Sequence, residues 1–357
     1  SDTMAAYWYH KAAQQGHATA QNNISWLYYV GSGVEQNDSL AILWCHKAVE
    51  QGEAMAQNNL GLMDSKGRGV EQNDSLAMFW YRKAAEQGEA MAQNNLGVKY
   101  SNGSGVEQND SLGAYWYRKA AEQGHAMAQS NLGWMYIKGR GVEQNDSLGA
   151  YWYRKAAEQG NTLAQSNLGW MYIKGRGVEQ NDALGVYWYR KAAEQDDASG
   201  QSFLAWMYYE GRGVEQDDSL AVFWARKAAE QGYAIGQNAL GWMYAQGRAV
   251  EQSDSIAMFW YHKAIAQDNA SARHNLGMLY YKGTAAEKEE AVRLYHKAAE
   301  QGDADAFISL FQHYKATGNS KDAYKWLLVG QSCKGDIESR ETKKAMDEIL
   351  REVDSIR

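Results

Sequence analysis

The sequence contains no proline and only two cysteines among its 357 residues. At an average usage of about 5%, roughly 18 prolines would be expected, so their absence indicates a strongly biased composition. Cys45 and Cys333 are far apart and belong to no CxxC pair, which argues against a disulfide framework or a zinc site. The first residues show no basic segment followed by an apolar run, so we expect no signal peptide in this sequence.

The chain also lacks an excess of basic residues and any long apolar run. Its formal net charge is −7, so the basic footprint of a protein that binds nucleic acid or an anionic membrane is missing. No apolar run reaches the length of about 18 residues that a membrane-spanning helix needs, and we therefore expect neither membrane insertion nor a nucleic acid partner. Hydrophobic residues still make up 45% of the chain, which is enough for a sizeable core.

What the sequence contains is a repeat of 36 residues. The hexapeptide GVEQND recurs at this spacing, with the variants GVEQDD and AVEQSD at the end of the series, and starts at Gly33, Gly69, Gly105, Gly141, Gly177, Gly213 and Ala249. A KAAEQG-like segment recurs with the same period until a shortened loop precedes Lys297. Repeats of this length are typical of helical arrays.

Each unit predicts two short helices joined by a glycine-rich turn. In the segment AQSNLGWMYIKG, Ala128 and Leu132 recur at helical spacing. In SLGAYWYRKAAEQG, one apolar stripe is predicted to hold Leu148, Trp152 and Ala156. Because a single helix pair cannot bury both of its faces, we expect stacked units, that is, an all-α, αα-superhelical solenoid with a concave and a convex side.

We expect one solenoid over residues 1–331 and a C-terminal capping helix over residues 332–357. A half repeat at 2–16 supplies a second helix without its first, about eight clear repeats cover 18–301, and a divergent ninth covers 304–331. The half repeat predicts that the sequence is a piece of a longer chain.

The pattern A-x-x-x-L-G-x-x-Y-x-x-G-x-G-V, followed by A-x-x-W-Y-x-K-A-A-E-Q-G, resembles the Sel1-like repeat family, a relative of the tetratricopeptide repeats. The resemblance covers roughly residues 2–331 and implies a non-enzymatic adaptor or scaffold without a cofactor. Many bacterial members are exported or act at the boundary with a host or a competitor, so the resemblance favours a bacterial periplasmic or secreted protein. Asp64 departs from the helical Tyr of the motif and is expected to weaken packing there.

No catalytic or metal-binding constellation is predicted from the sequence. Four of the eight histidines occupy a position on the second helix that other repeats fill with Arg, and the other four lack HxxxH or HExxH spacing. The glycine-rich turns lack the GK[ST] of a phosphate loop. Some cysteine-rich relatives are linked to β-lactam binding through a Cys pair in each repeat, and this chain has no such pairs.

The 14 tryptophans fall into two sets. Nine lie in second helices and are predicted to pack repeat against repeat: Trp8, Trp44, Trp80, Trp116, Trp152, Trp188, Trp224, Trp260 and Trp326. The other five directly follow the L-G of first helices or its equivalent, at a position that also holds Leu, Val, Met and Gln in other units. Because a packing position would not ordinarily accept such different side chains, we expect this position to be exposed.

The resemblance to tetratricopeptide repeats implies that first helices line the concave surface. It implies partner-binding residues two positions after the conserved Leu and five after it, which gives Trp26, Tyr29, Trp134, Ile137, Trp170, Ile173, Trp206, Tyr209, Trp242 and Tyr281. It also implies that Asn22, Asn58 and their equivalents flank this groove. We expect a monomer that binds a protein partner there. The alternatives are an inhibitor or immunity-type protein that neutralises one cognate toxin, a β-lactam-processing hydrolase, which is less favoured, and a groove whose Trp rings pack on neighbouring helices and bind nothing.

Overall fold

The computed structural model describes residues 2–332, which contain nineteen helices and no strand. The chain divides into two compact units, Ser1–Asn181 and Asp182–Arg357. The first unit contains α1 (Asp2–Gln14), α2 (Ala18–Val30), α3 (Asp38–Glu50), α4 (Ala54–Lys66), α5 (Asp74–Glu86), α6 (Ala90–Asn102), α7 (Asp110–Glu122), α8 (Ala126–Lys138), α9 (Asp146–Glu158) and α10 (Thr162–Lys174).

The second unit contains α11 (Asp182–Glu194), α12 (Ala198–Glu210), α13 (Asp218–Glu230), α14 (Ala234–Gln246), α15 (Asp254–Ile265), α16 (Ala270–Tyr280), α17 (Ala285–Glu300), α18 (Ala304–Ala316) and α19 (Ser320–Ser332). The capping helix predicted for residues 332–357 lies, apart from Ser332, outside the described residues. In both units the even-numbered helices are the first helices of the repeats and the odd-numbered helices are the second.

The helices pack in the order of the sequence. Within each unit, the first helix of a repeat packs against the second helix of the same repeat, as α6 does against α7 and α14 against α15. Each second helix also packs against the following first helix, as α7 does against α8, and neighbouring first helices such as α2 and α4 touch. This is the all-α arrangement of tandem helix pairs that the 36-residue period predicts.

Turn residues determine where the helices begin and end. The side chain of Asn145 accepts a hydrogen bond from the amide of Leu148 at 2.9 Å and so caps the start of α9. Gly139 ends α8 in the left-handed conformation, with φ of 62°, and its amide donates to the carbonyl of Met135. Because equivalent residues recur along the chain, helices of about four turns end without proline.

The core of most repeats contains a glycine that faces a tyrosine. A Cβ atom added to Gly97 of α6 would lie 2.5 Å from Cδ1 of Tyr117 on α7, so the Tyr ring rests directly on the first helix. Where the second helix has a small residue instead, the first helix does not have Gly: Ser25 corresponds to Cys45, and Ala205 to Ala225. The Gly–Tyr pair is therefore a matched unit of packing.

The predicted stripe of Leu148, Trp152 and Ala156 is only partly correct. Ala156 is buried, but Leu148 is exposed and Trp152 is half-buried against the cluster that α7 and α8 form. Tyr153 is the large core residue of α9. The second helices are apolar on two adjacent faces, and helical spacing alone does not tell which of them meets the first helix.

Three second-helix tryptophans of the first unit pack between repeats as predicted. Trp44 is buried, and Trp80 and Trp116 are half-buried against clusters that precede them in the chain. Trp8 on α1 is the exception, since 63% of its surface is exposed. It is wrong to count Trp8 as a core residue.

Buried amides connect neighbouring first helices. Asn59 donates to Asn22 at 2.8 Å and Asn95 donates to Asn58 at 2.9 Å, and both acceptor residues are buried. The prediction that Asn22 and Asn58 flank an open groove is therefore wrong. Because each buried amide has a partner only in the correct register, the ladder specifies how the repeats stack.

Candidate protein-binding surface

The predicted binding residues of the first unit divide into exposed rings and buried aliphatic side chains. Trp26 and Trp134 are each 39% exposed, whereas Trp170 and Tyr29 are half-buried. Trp26 stacks on Tyr29, with ring centroids 5.2 Å apart. The first helices of this unit thus present large aromatic rings to solvent.

Ile137 and Ile173 are corrections to the predicted set. They are only 7% and 3% exposed, so neither side chain is available to a partner. Ile137 instead packs on α9, where a Cβ atom on Gly149 would lie 2.5 Å from its Cδ1. Each residue of a helix turns by about 100°, so the position three after the Trp points toward the second helix instead of away from it.

The second unit holds the other four predicted residues. Trp206 is 39% exposed, and Trp242 is half-buried with its ring edge-to-face on Tyr209 at 4.8 Å. Tyr281 is half-buried, and its hydroxyl lies 3.0 Å from Nδ1 of His313. Tyr209 and Trp242 therefore cover part of each other, and Trp206 is the most exposed ring of the four.

An arginine from the turn after the first helix lies over most of these tryptophan rings. The guanidinium carbon is 5.5 Å from the ring centroid for Arg140 and Trp134, 5.7 Å for Arg176 and Trp170, and 5.7 Å for Arg212 and Trp206. Such cation–π contacts hold the ring in place. Sequence reasoning missed these arginines because it interpreted GRG only as a glycine turn.

Each arginine is itself fixed by an aspartate. Arg140 Nε donates to Asp110 Oδ2 at 2.7 Å, and its Nη2 donates to the carbonyl of Ser101 at 2.8 Å. This hydrogen bond lowers the pKa of Asp110 and raises the pKa of Arg140. Arg176 and Asp146 repeat the pair at 2.8 Å. The positive charge beside the ring is therefore neutralised by a carboxylate 30 positions earlier in the chain.

The third full repeat keeps this ion pair with different residues. Ser104 stands at the arginine position, and Lys99 Nζ contacts Asp74 Oδ1 at 2.5 Å instead. Lys99 occupies a position that is Met135 in the next repeat, so the exchange was visible in a comparison of the repeats. The ion pair is thus retained by a compensating pair of changes.

We expect Lys99 and an arginine at position 104 to be interchangeable as partners of Asp74. Lys99→Met should lower the free energy of unfolding by about 1 kcal/mol, because Asp74 loses a partner that is mostly buried. Adding Ser104→Arg should restore most of this loss, since Arg140 makes the same contact one repeat later. Urea denaturation of both variants measures the effect, and a double variant no more stable than Lys99→Met would contradict it.

None of the helices described between residues 2 and 332 is long and apolar enough to cross a bilayer. The exposed rings belong to helices that pack against other helices of the same repeat array. The arrangement offers rigid aromatic surface with neutralised charge.

Comparisons with known proteins agree with this architecture. The family model described as Sel1 repeat matches nine consecutive segments, which are residues 1–17, 18–53, 54–89, 90–125, 126–161, 162–197, 198–233, 234–269 and 270–303. A search of curated proteins finds no match.

Solved structures of similar sequence include c5321, a protective antigen present in uropathogenic Escherichia coli strains displaying an SLR fold. It is 38% identical over 92% of this chain and 71% of its own, with a TM-score of 0.73. A Sel1 repeat protein from Oxalobacter formigenes is 35% identical over 67% of this chain and 93% of its own, with a TM-score of 0.61. The immunity protein Pa5087 from Pseudomonas aeruginosa is more distant, at 22% identity over 56% of this chain and 75% of its own, with a TM-score of 0.36. With nine family segments and two solved relatives above 30% identity, the chain belongs to the Sel1 repeat family and has its all-α solenoid fold.

Proposed function

We propose that this chain is a non-enzymatic scaffold that binds a partner protein through the tryptophan-bearing sides of its first helices. The observation that carries the proposal is that Trp134 and Trp206 are 39% exposed although an arginine holds each ring. Tryptophan and arginine are the residues most enriched at the energetic centres of protein interfaces. An exposed tryptophan ring beside an arginine that holds it, present in each of the two units, is the arrangement that such an interface needs.

The fixed rings also favour affinity. A side chain that is already held in one orientation loses little conformational freedom when it is covered by a partner. Because Asp110 and Asp182 neutralise Arg140 and Arg212, covering the rings does not require an unpaired charge to leave water.

The proposal is tested with the double variant Trp134→Ala and Trp206→Ala. A partner is first captured from the native source and purified, and its affinity for the unaltered chain is measured by calorimetry. We expect the double variant to bind at least about thirtyfold more weakly, because the loss of one hot-spot residue costs about 2 kcal/mol or more. The single variants show which unit holds the interface.

Trp8→Ala is the matched control. Trp8 is more exposed than either first-helix ring, at 63%, but it lies on α1, which is a second helix. Its removal should leave the affinity unchanged, and circular dichroism should show intact helices in all variants. A partner bound equally well by the double variant and the unaltered chain would refute the assignment of this surface.

A further inference from the structure

A cluster of potential metal ligands lies in the second unit, where α16 meets α18. His274 of α16 is only 6% exposed, and Asp303 and Asp305 lie at the start of α18. One imidazole nitrogen and one oxygen from each carboxylate lie within 4.8 Å of one another. Small movements of side chains would bring the three atoms to the spacing of ligands around one metal ion.

The repeat architecture explains why these residues meet. In the first unit, Asn58 Nδ2 lies 3.4 Å from Met91 Sδ, and Asn94 Nδ2 lies 4.0 Å from Met127 Sδ. His274 occupies the position of these asparagines, one repeat before Asp305, which occupies the position of the methionines. At this contact His274 thus replaces an amide and Asp305 replaces a thioether, and both new groups bind divalent metals well.

Neighbouring hydroxyls hold two of the three side chains in place. His274 Nε2 lies 2.9 Å from Ser309 Oγ, and Ser271 Oγ donates to Asp303 Oδ2 at 2.8 Å. Asp303 Oδ1 also accepts the amide N–H of Ala306 at 3.0 Å. Hydrogen bonds of this kind orient the ligands in metal sites, and a carboxylate oxygen has more than one lone pair to offer.

The charges of the cluster suit a cation. Burial lowers the pKa of His274, which favours the neutral imidazole whose nitrogen lone pair can bind a metal. Asp303 and Asp305 place two carboxylates beside this neutral ring. A divalent ion would balance both charges.

We propose that His274, Asp303 and Asp305 form a binding site for one divalent transition-metal ion, with Zn²⁺ as the ion best matched to an imidazole and two carboxylates. The ion takes the ring nitrogen that Ser309 does not hold. Three protein ligands leave a coordination position for water or for a side chain of a partner.

The test is a calorimetric titration of the full chain, purified without a histidine tag, with zinc chloride. We expect one equivalent of Zn²⁺ to bind, and His274→Asn and Asp305→Ser each to weaken binding at least about tenfold, as loss of a ligand or of its orientation does. Both replacements are residues that other repeats have at these positions, namely Asn238 and Ser271, so both variants should fold.

His125→Asn is the matched control, since Asn161 stands at the equivalent position and the change removes a histidine outside the cluster. It should leave the affinity for Zn²⁺ unchanged. If Asp305→Ser is unfolded by circular dichroism, Asp303→Asn replaces it, because Asn269 caps α16 in the same way. Absence of zinc binding to the unaltered chain, or equal affinity in the control and in the His274→Asn protein, would overturn the proposal.

Discussion

Gly97→Ala should destabilise the protein by about 1 to 3 kcal/mol, the usual cost of overpacking a core. At an ordinary helical position the same change would stabilise by up to about 1 kcal/mol, because alanine is the better helix former. Here the new methyl group would lie 2.5 to 2.9 Å from the ring atoms Cδ1, Cε1 and Cγ of Tyr117. The expected change in the free energy of unfolding therefore has the opposite sign to the change that helix propensity predicts. Urea denaturation measures this change.

A double-mutant cycle separates this clash from other causes. Tyr117→Ala alone should cost about 3 to 5 kcal/mol, because it removes a buried aromatic ring. The combination of Gly97→Ala and Tyr117→Ala should be less destabilising than the sum of the two, since the methyl group then enters space that the ring has left. The pair Ala205 and Ala225 shows that the fold accepts alanine at both positions. Additive effects, or a Gly97→Ala protein as stable as the unaltered chain, would contradict the matched-pair interpretation.

The 36-residue period was sufficient to predict the helix pairs and their stacking. It could not assign the faces of the second helices, because Trp152 and Tyr153 are adjacent and both apolar, and only the room left by Gly133 identifies Tyr153 as the ring that meets the first helix. That signal was present in the sequence, since Ser25 and Cys45 change together.

The candidate site was predictable at the tryptophans and not at their neighbours. Variation among repeats pointed to an exposed position, and Trp134 is indeed exposed, but binding by this position stays a proposal. The prediction for Ile137 was wrong because a shift of one position along a helix turns the side chain by about 100°, here from the outer face to the core. Arg140 was missed because its partner, Asp110, lies 30 residues away and only the fold brings the two together.

Asp64→Asn should stabilise the protein at pH 8 and have little effect near pH 4. Asp64 is 2% exposed, its Oδ2 atom has no hydrogen-bond partner, and burial raises its pKa from 3.8 to about 6. Because the folded state binds this proton more tightly than the unfolded state does, the free energy of unfolding falls as the pH rises from about 4 to about 6. Two pH units correspond to about 3 kcal/mol, which is the upper limit of the expected gain.

Asp74→Asn is a control of opposite sign. A hydrogen bond from Lys99 lowers the pKa of Asp74, so this carboxylate stabilises the folded state above its ordinary pKa, and that contribution is lost as the pH falls. Denaturation midpoints between pH 4 and 8 should therefore show Asp64→Asn gaining on the unaltered chain as the pH rises, while Asp74→Asn stays below it by a nearly constant amount. That deficit should shrink only below about pH 4, where the Asp74 carboxylate becomes protonated. A pH-independent difference between Asp64→Asn and the unaltered chain would show that the Asp64 carboxylate is not desolvated in the folded state.

Asp64→Tyr should stabilise further, because tyrosine is the residue at this position in neighbouring repeats. There the hydroxyl of Tyr100 accepts a hydrogen bond from Arg82, 18 residues earlier. His46 stands 18 residues before Asp64, and the contact of His296 Nε2 with the Tyr314 hydroxyl at 2.8 Å shows that a histidine can fill that role. A midpoint at pH 8 above that of Asp64→Asn would show that the ring and its hydroxyl both fit, whereas a lower one would mean that the core around α3 and α4 has closed over the space that the smaller residue leaves.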